Sequence, residues 1–410
     1  MRLMRARRLL AFVIALAALA GAALIARPYA HGLSFVIRAA DVQGTLRSLA
    51  NADTGPITER RIEIDARVNG DTGVMGARLY RPNRQPRRLV LLVSGLHPSG
   101  IDEPRLVGLA RQLALSGLAV VTPDIPQLSR FEITPAITDE IEASASWLYE
   151  LSKTSGVTTG DGRIGMIGIS FSGGLSVVAA GRPALRDRVA YVLSFGGHDD
   201  LPRVLRYLCT GVEPPAPRLV RLKPDTTETS GQPVSRPPHD YGVAMILLGL
   251  ADRVVPSAQV TALRAAVLQH LRASALDTVD KPQAALEFAA LRELAKKLPE
   301  PSSTLLRYVN DRDVVHLGPR LLPYVGVYGG DKALSASKSP KPSAPVFMLH
   351  GLGDNVIPPI ESEYLAEDLR GHAPVRLLLS GLISHAEADR PMRVGDVAQL
   401  ASFWGDLLAR

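Results

Sequence analysis

The sequence predicts an α/β fold in which a mostly parallel central sheet is flanked by helices. Short apolar strands alternate with helical segments over residues 57–200, and the same alternation returns over residues 344–410. This order is typical of a parallel sheet that is covered on both faces. The 410 residues are 46% hydrophobic and 21% charged, which is the composition of a globular protein.

The predicted elements follow one another in a regular order through the first part of the chain. A helix is predicted after strand 87–95, because Pro104 suits its first turn and Gly117 ends it. A second helix is predicted over 137–151. The predicted strands, which are apolar and bounded by turn residues, are 61–68, 73–82, 87–95, 118–126, 163–169 and 188–197.

The alternation stops between the two parts of the core. Residues 211–238 are rich in Pro, Thr and Ser and are predicted to form a surface excursion, and helical patterns follow them. We therefore predict that residues 201–343 are a helical cap inserted into the core. The core then resumes over 344–410 with strands 344–352 and 375–381 and a last helix through Trp404.

The N-terminus has the pattern of a membrane anchor. Four arginines within residues 1–8 precede an apolar run of 18 residues, Leu9 to Ala26. Such a run is long enough to span a bilayer, and the arginines before it favour an orientation with the rest of the chain outside the cytoplasm. We predict that residues 1–28 are a transmembrane anchor, with a cleaved signal sequence as the alternative. Residues 29–56 would then form a stalk, and the catalytic domain would be periplasmic or extracellular.

The stretch "IGMIGISFSGG", residues 164–174, raises the question of a nucleophile. A predicted strand runs into Ser170, with Gly168 two residues earlier and an apolar helical segment after it. A sharp turn from strand to helix through such a serine is a nucleophile elbow. Here the chain resembles the α/β-hydrolase superfamily, whose motif is G-x-S-x-G, although Ser172 stands at the second glycine. Ser170 is the predicted nucleophile, and Ser172 is the alternative.

The resemblance implies an acid and then a histidine downstream, each just beyond a strand. Asp354 follows strand 344–352. His385 follows strand 375–381 and lies 31 residues after Asp354. These two are the predicted orienting acid and general base. The alternatives for the acid are Asp252, which lies in a similar phrase, and Asp199 and Asp200, which follow strand 188–197.

An oxyanion hole needs two backbone N–H groups. The resemblance assigns one to Phe171, the residue after the nucleophile. The other comes from "SGLHPSG", which resembles the superfamily's HG-x turn and assigns the second N–H to Leu96. Ser94 stands where that turn has a histidine.

Together these residues predict a membrane-anchored serine hydrolase that cleaves an ester or related acyl bond of a small molecule through an acyl-enzyme. Dienelactone-hydrolase-like or peptidase-like activity is an alternative, as is a hydrolase-like protein that binds a ligand without turnover. We expect no cofactor and no metal, because the sequence has no P-loop or HExxH motif and only one cysteine. A net charge of +7 with 5% aromatic residues argues against nucleic-acid binding.

Overall fold

The computed structural model describes residues 26–52, 54–68, 71–154, 156–217, 237–383 and 394–410. Eight strands form one sheet in the order β1-β2-β4-β3-β5-β6-β7-β8. The strands are β1 (Ile57–Val68), β2 (Asp71–Pro82), β3 (Arg88–Val93), β4 (Leu118–Pro123), β5 (Ile164–Ile169), β6 (Val189–Phe195), β7 (Val346–Gly351) and β8 (Val375–Ser380).

The pairing of these strands confirms the predicted fold class. Strand β2 is antiparallel to both of its neighbours, β1 and β4. The six strands from β4 to β8 are parallel to one another. A mostly parallel sheet of eight strands in this order, with β2 reversed, is the α/β-hydrolase fold that the resemblance implied.

Helices cover both faces of the sheet. The alternation of side chains along β3 shows how the faces are divided, because Leu91 packs into one hydrophobic cluster and Leu92 into the other. The helices are α1 (26–39), α2 (Thr45–Ala50), α3 (Pro104–Leu115), α4 (Pro126–Ser129), α5 (Ala136–Lys153), α6 (Phe171–Gly181), α7 (Leu201–Thr210), α8 (Asp240–Val254), α9 (Ser257–Leu276), α10 (Lys281–Ala295), α11 (Ser302–Asn310), α12 (Val314–Leu321), α13 (Val325–Tyr328), α14 (Ile360–Asp368) and α15 (Val394–Leu408).

Residues 29–56, predicted to form a stalk, instead begin with a helix that packs on the core. Helix α1 crosses α15 closely: a Cβ added to Gly32 would lie 1.9 Å from the carbonyl oxygen of Ala401. Phe35 is buried against Trp404, with 4.2 Å between the ring centroids. The buried Phe35 and the small residues at this crossing give α1 an inward face, which a stalk would not have.

The apolar run Leu9 to Ala26 lies, except for its last residue, outside the described residues. Within residues 26–410, less the gaps given above, no helix has the length and hydropathy needed to cross a bilayer. The predicted excursion 211–238 lies in part outside the described residues as well, since residues 218–236 are not described.

Helices α7 to α13 lie between β6 and β7 in the chain. The chain leaves the core and returns to it at one place, because the backbone N–H of Leu201 donates to Ser335 Oγ at 3.0 Å and that of Ser337 donates to the carbonyl of Asp199 at 3.1 Å. Helices α7 to α13 are thus inserted in the connection that follows the carboxyl end of β6.

Candidate active site

Ser170 occupies a strained turn between β5 and α6. Its φ of 54° and ψ of −126° lie in a region that side chains other than glycine rarely adopt. Two backbone hydrogen bonds hold the turn, from Ser170 N–H to the carbonyl of Phe195 at 2.7 Å and from Gly173 N–H to the carbonyl of Ser170 at 2.8 Å. Strain of this kind persists where the surrounding structure imposes it, and it is concentrated at functional sites.

Gly168 gives the turn the space that it needs. A Cβ at this position would lie 2.1 Å from the backbone oxygen of Ser172 and 2.4 Å from Ser176 Oγ. Neither distance is compatible with a real methyl group, and the first contact is with backbone that cannot rotate away. The glycine two residues before Ser170 is therefore required by the close approach of α6 to β5.

Gly168→Ala is expected to destabilise the protein by about 1–3 kcal/mol, as overpacking of a filled core does. Urea unfolding measures the change. Gly108→Ala is the matched control, because Gly108 lies in α3 and a Cβ there would meet nothing within 4 Å. An unfolding midpoint for Gly168→Ala equal to that of the wild type would contradict the packing described for the elbow.

The two serines of the motif have different surroundings. Ser172 is fully buried, and its hydroxyl donates to the carbonyl of Ser94 at 2.6 Å. Ser170 is half-buried and lines a cavity. Of the two, Ser170 has a side chain that a substrate can reach.

Three of the predicted site residues, Leu96, Ser170 and Phe171, line the same cavity. Its free volume is about 30 Å³, which is room for about two water molecules. The remaining lining is almost entirely apolar and comes from the core and from the cap helices α7 and α8: Ile133, His198, Leu201, Val204, Leu205, Leu208, Tyr241, Met245, Val356 and Ile357.

Asp354 lies just beyond β7 and is buried. Its Oδ1 accepts two backbone hydrogen bonds, from Val356 N–H at 2.9 Å and from Ile357 N–H at 3.0 Å. Both donors belong to residues that line the cavity of Ser170. The loop of Asp354 is thus part of the cavity wall, and two backbone hydrogen bonds hold its carboxyl group in place.

His350 contacts Asp354 and was not predicted to belong to the site. Its Nε2 lies 2.9 Å from the carbonyl of Ile357 and 3.3 Å from Asp354 Oδ2, and its Nδ1 lies 2.7 Å from Ser362 Oγ. A carbonyl can only accept, so Nε2 carries a proton and donates it. The sequence places His350 inside a strand, four residues before Asp354, and that short spacing was the one signal available.

His385, the predicted base, lies outside the described residues. His198 is the histidine that the structure does bring to the cavity. Its Nε2 donates to the carbonyl of Leu334 at 2.9 Å, and its ring stacks on Phe171 with 5.4 Å between centroids. Burial lowers the pKa of His198, which keeps the ring neutral.

The alternative acids have other contacts. Asp252 lies on α8 with a side chain 48% exposed, and it pairs with Arg264 at 2.6 Å. Asp200 caps α7 by accepting from Arg203 N–H at 2.9 Å. Asp199 is buried, and its Oδ2 accepts from Arg203 Nη2 at 3.0 Å.

Asp199 belongs to a buried group with Arg203 and Glu361. Glu361 is fully buried and accepts from both the Arg203 guanidinium and the backbone N–H of Asp199. Burial raises the pKa of Asp199 to about 7, against the opposing effect of the Arg203 charge. A carboxyl group that is partly protonated at neutral pH is poorly suited to orient a catalytic base.

The described residues contain no group of three or more His, Cys, Asp or Glu side chains that could hold a metal ion. Cys209 is buried on α7 within the apolar interior of the cap.

No protein-family model and no curated protein matches the sequence. Solved structures with some likeness to the chain include an acylaminoacyl peptidase from Pyrococcus horikoshii, with 12% identity over 88% of this chain and 42% of the peptidase, at a TM-score of 0.43. An esterase from Pyrobaculum calidifontis is 17% identical over 91% of this chain and 93% of its own, at a TM-score of 0.41. A thermostable esterase from Pseudomonas putida is 13% identical over 91% of this chain and 86% of its own, at a TM-score of 0.43.

The chain thus spans less than half of the Pyrococcus peptidase and most of either esterase. Identities this low say nothing about what the chain acts on. Evidence for the fold comes from the strand order and the directions of pairing, which are those of an eight-stranded α/β-hydrolase fold.

Proposed function

We propose that the protein is a serine hydrolase that cleaves an ester or related acyl bond through an acyl-enzyme. The observation that carries this proposal is the conformation of Ser170, a strained serine between a strand and a helix whose side chain faces an apolar cavity. Such a turn has an energetic cost, and a nucleophile exposed above the sheet is the function it serves.

In the proposed mechanism, Ser170 Oγ attacks the carbonyl carbon while its proton passes to His385. The negative charge that develops on the carbonyl oxygen is stabilised by the backbone N–H groups of Leu96 and Phe171. Collapse of this intermediate expels the alcohol, which takes the proton from His385 and leaves the acyl group on Ser170. A water molecule then repeats the sequence and releases the acid. Asp354 holds the imidazole of His385 in the required tautomer.

The apolar lining of the cavity favours an acyl group as the part of the substrate that binds there. Apolar side chains of α7 and α8, among them Leu205, Leu208 and Met245, line the same cavity as Ser170. The free volume of about 30 Å³ leaves little room beside these side chains, so we expect them to move aside when a substrate enters. The cap therefore sets how long an acyl chain is accepted.

The test is to assay the purified protein on p-nitrophenyl acetate, butyrate and octanoate, and on aminoacyl p-nitroanilides. Turnover of the esters, with a preference along the series, supports the proposal. Turnover of the anilides alone would make the protein a peptidase. No turnover of any of them would favour the alternative of a binding protein.

We also propose that residues 1–28 anchor the protein in a membrane, with the catalytic domain outside the cytoplasm. Evidence for this proposal comes from the apolar run Leu9 to Ala26 and the arginines that precede it. The protein is expected to stay with membranes after a high-salt wash, and a C-terminal alkaline phosphatase fusion is expected to be active. Protein recovered in the soluble fraction without residues 1–26 would show that the segment is a cleaved signal.

A further inference from the structure

Two buried or half-buried hydroxyl groups hold the turn that carries Leu96. One belongs to Ser172 of α6 in the core, and the other belongs to Tyr241 of α8 in the cap. We propose that both are positioning residues, which fix the Leu96 N–H in place to stabilise the oxyanion. This inference rests on the proposed hydrolase function and goes beyond it by linking the cap to the oxyanion hole.

Ser172 holds the turn from the core side. Its hydroxyl donates to the carbonyl of Ser94 at 2.6 Å, and both residues are buried, Ser172 fully and Ser94 to 3% exposure. The peptide unit that contains this carbonyl is the one immediately before the peptide that bears the Leu96 N–H. The serine that replaces the second glycine of the motif therefore has a contact that glycine cannot make.

The turn also lies very close to the nucleophile. A Cβ added to Gly95 would lie 3.3 Å from Ser170 Cβ. A shift of the Ser94–Leu96 backbone by a few tenths of an ångström would consequently change the distance between the oxyanion and its donor. Donors of this kind act only when they are held at about 2.7–3.1 Å from the charged oxygen.

Tyr241 holds the turn from the cap side. Its hydroxyl donates to the carbonyl of Leu96 at 3.2 Å. The ring packs edge-on against Phe131, with 5.7 Å between centroids, and this contact restrains the ring that carries the hydroxyl. Burial raises the pKa of Tyr241, so that the hydroxyl remains a donor.

Hydrogen bonds thus hold the chain on both sides of the peptide that bears the Leu96 N–H. The carbonyl before it is bonded to Ser172 and the carbonyl after it to Tyr241, and the next N–H, that of His97, donates to the carbonyl of Leu128 at 3.3 Å. A cap that moves away from the core releases one of these bonds. The oxyanion hole is then complete only while the cap is closed over the substrate.

The effect of either hydroxyl is expected in the transition state and not in substrate binding. Loss of a whole oxyanion donor costs about 10²–10³ in turnover. A donor that is kept but held less firmly should cost less, about tenfold in kcat with KM unchanged.

The experiment compares Ser172→Ala and Tyr241→Phe in the full-length protein. For each we measure kcat and KM on p-nitrophenyl butyrate, and the inhibition constant of a trifluoromethyl ketone, which forms an oxyanion on the nucleophile. Each variant is expected to lose about tenfold in kcat and about tenfold in affinity for the ketone. Ser176→Ala is the control, because it removes a fully buried hydroxyl of α6 that has no hydrogen-bond partner among the described residues.

The outcomes distinguish the positioning roles of Ser172 and Tyr241 from the proposed hydrolase function. Wild-type turnover and ketone affinity in both variants, even with a lowered unfolding midpoint, would overturn the positioning roles and leave the hydrolase intact. An equal loss in Ser176→Ala would show a general effect of α6 packing and would also overturn them. A wild-type protein that neither hydrolyses the ester nor binds the ketone would overturn the proposed function and this inference with it.

Discussion

Ser170→Ala is expected to lower kcat/KM for ester hydrolysis by roughly 10⁴-fold or more while the protein remains folded. In the proposed mechanism the hydroxyl forms the acyl-enzyme. The strained backbone at this position is set by hydrogen bonds to Phe195 and Gly173, which alanine retains. Steady-state kinetics and an unfolding curve on the same preparation measure both quantities.

Ser172→Ala is the control that distinguishes the two serines of the motif. Its expected loss is about tenfold, because Ser172 is buried and bonded to Ser94 and has no access to substrate. An inactive Ser172→Ala together with an active Ser170→Ala would show that the nucleophile is Ser172.

Asp354→Asn is expected to lower kcat by roughly 10³–10⁴-fold with little change in KM, as loss of the orienting carboxylate does in a triad. The amide oxygen of asparagine can still accept from the N–H groups of Val356 and Ile357, so the loop should keep its shape. In the proposed mechanism this variant loses the charge that stabilises the imidazolium of His385, and turnover falls for that reason.

Asp252→Asn and Asp199→Asn are the matched controls. Asp252 is half exposed in an ion pair with Arg264, and Asp199 is occupied by Arg203, so each variant is expected to turn over at close to the wild-type rate. A normal kcat in Asp354→Asn, with a collapse in either control, would move the acid to that residue.

The fold could be predicted because its signals are local. Each parallel strand is a short apolar run, and the seven residues from Gly168 to Gly174 predict the strand-to-helix turn at Ser170. The strands β5 and β6 begin and end within a few residues of the predicted ranges. Burial on both faces makes such strands apolar throughout, which leaves little ambiguity.

The contacts around the site could not be predicted, because they join residues far apart in the chain. Ser172 and Ser94 are 78 positions apart, and Tyr241 and Leu96 are 145 apart. Nothing in the period or composition of α8 distinguishes the tyrosine that bonds to the turn from one that packs in the cap. The same reason explains the missed packing of α1, whose partner α15 lies at the other end of the chain.

A fluorophosphonate probe tests whether Ser170 is a catalytic nucleophile. The folded protein is incubated with the probe, digested, and the modified peptide is mapped by mass spectrometry, with heat-denatured protein as the control. We expect a single adduct on Ser170 in the folded protein and none after denaturation. An adduct on another serine, or no adduct on the folded protein, would contradict this expectation.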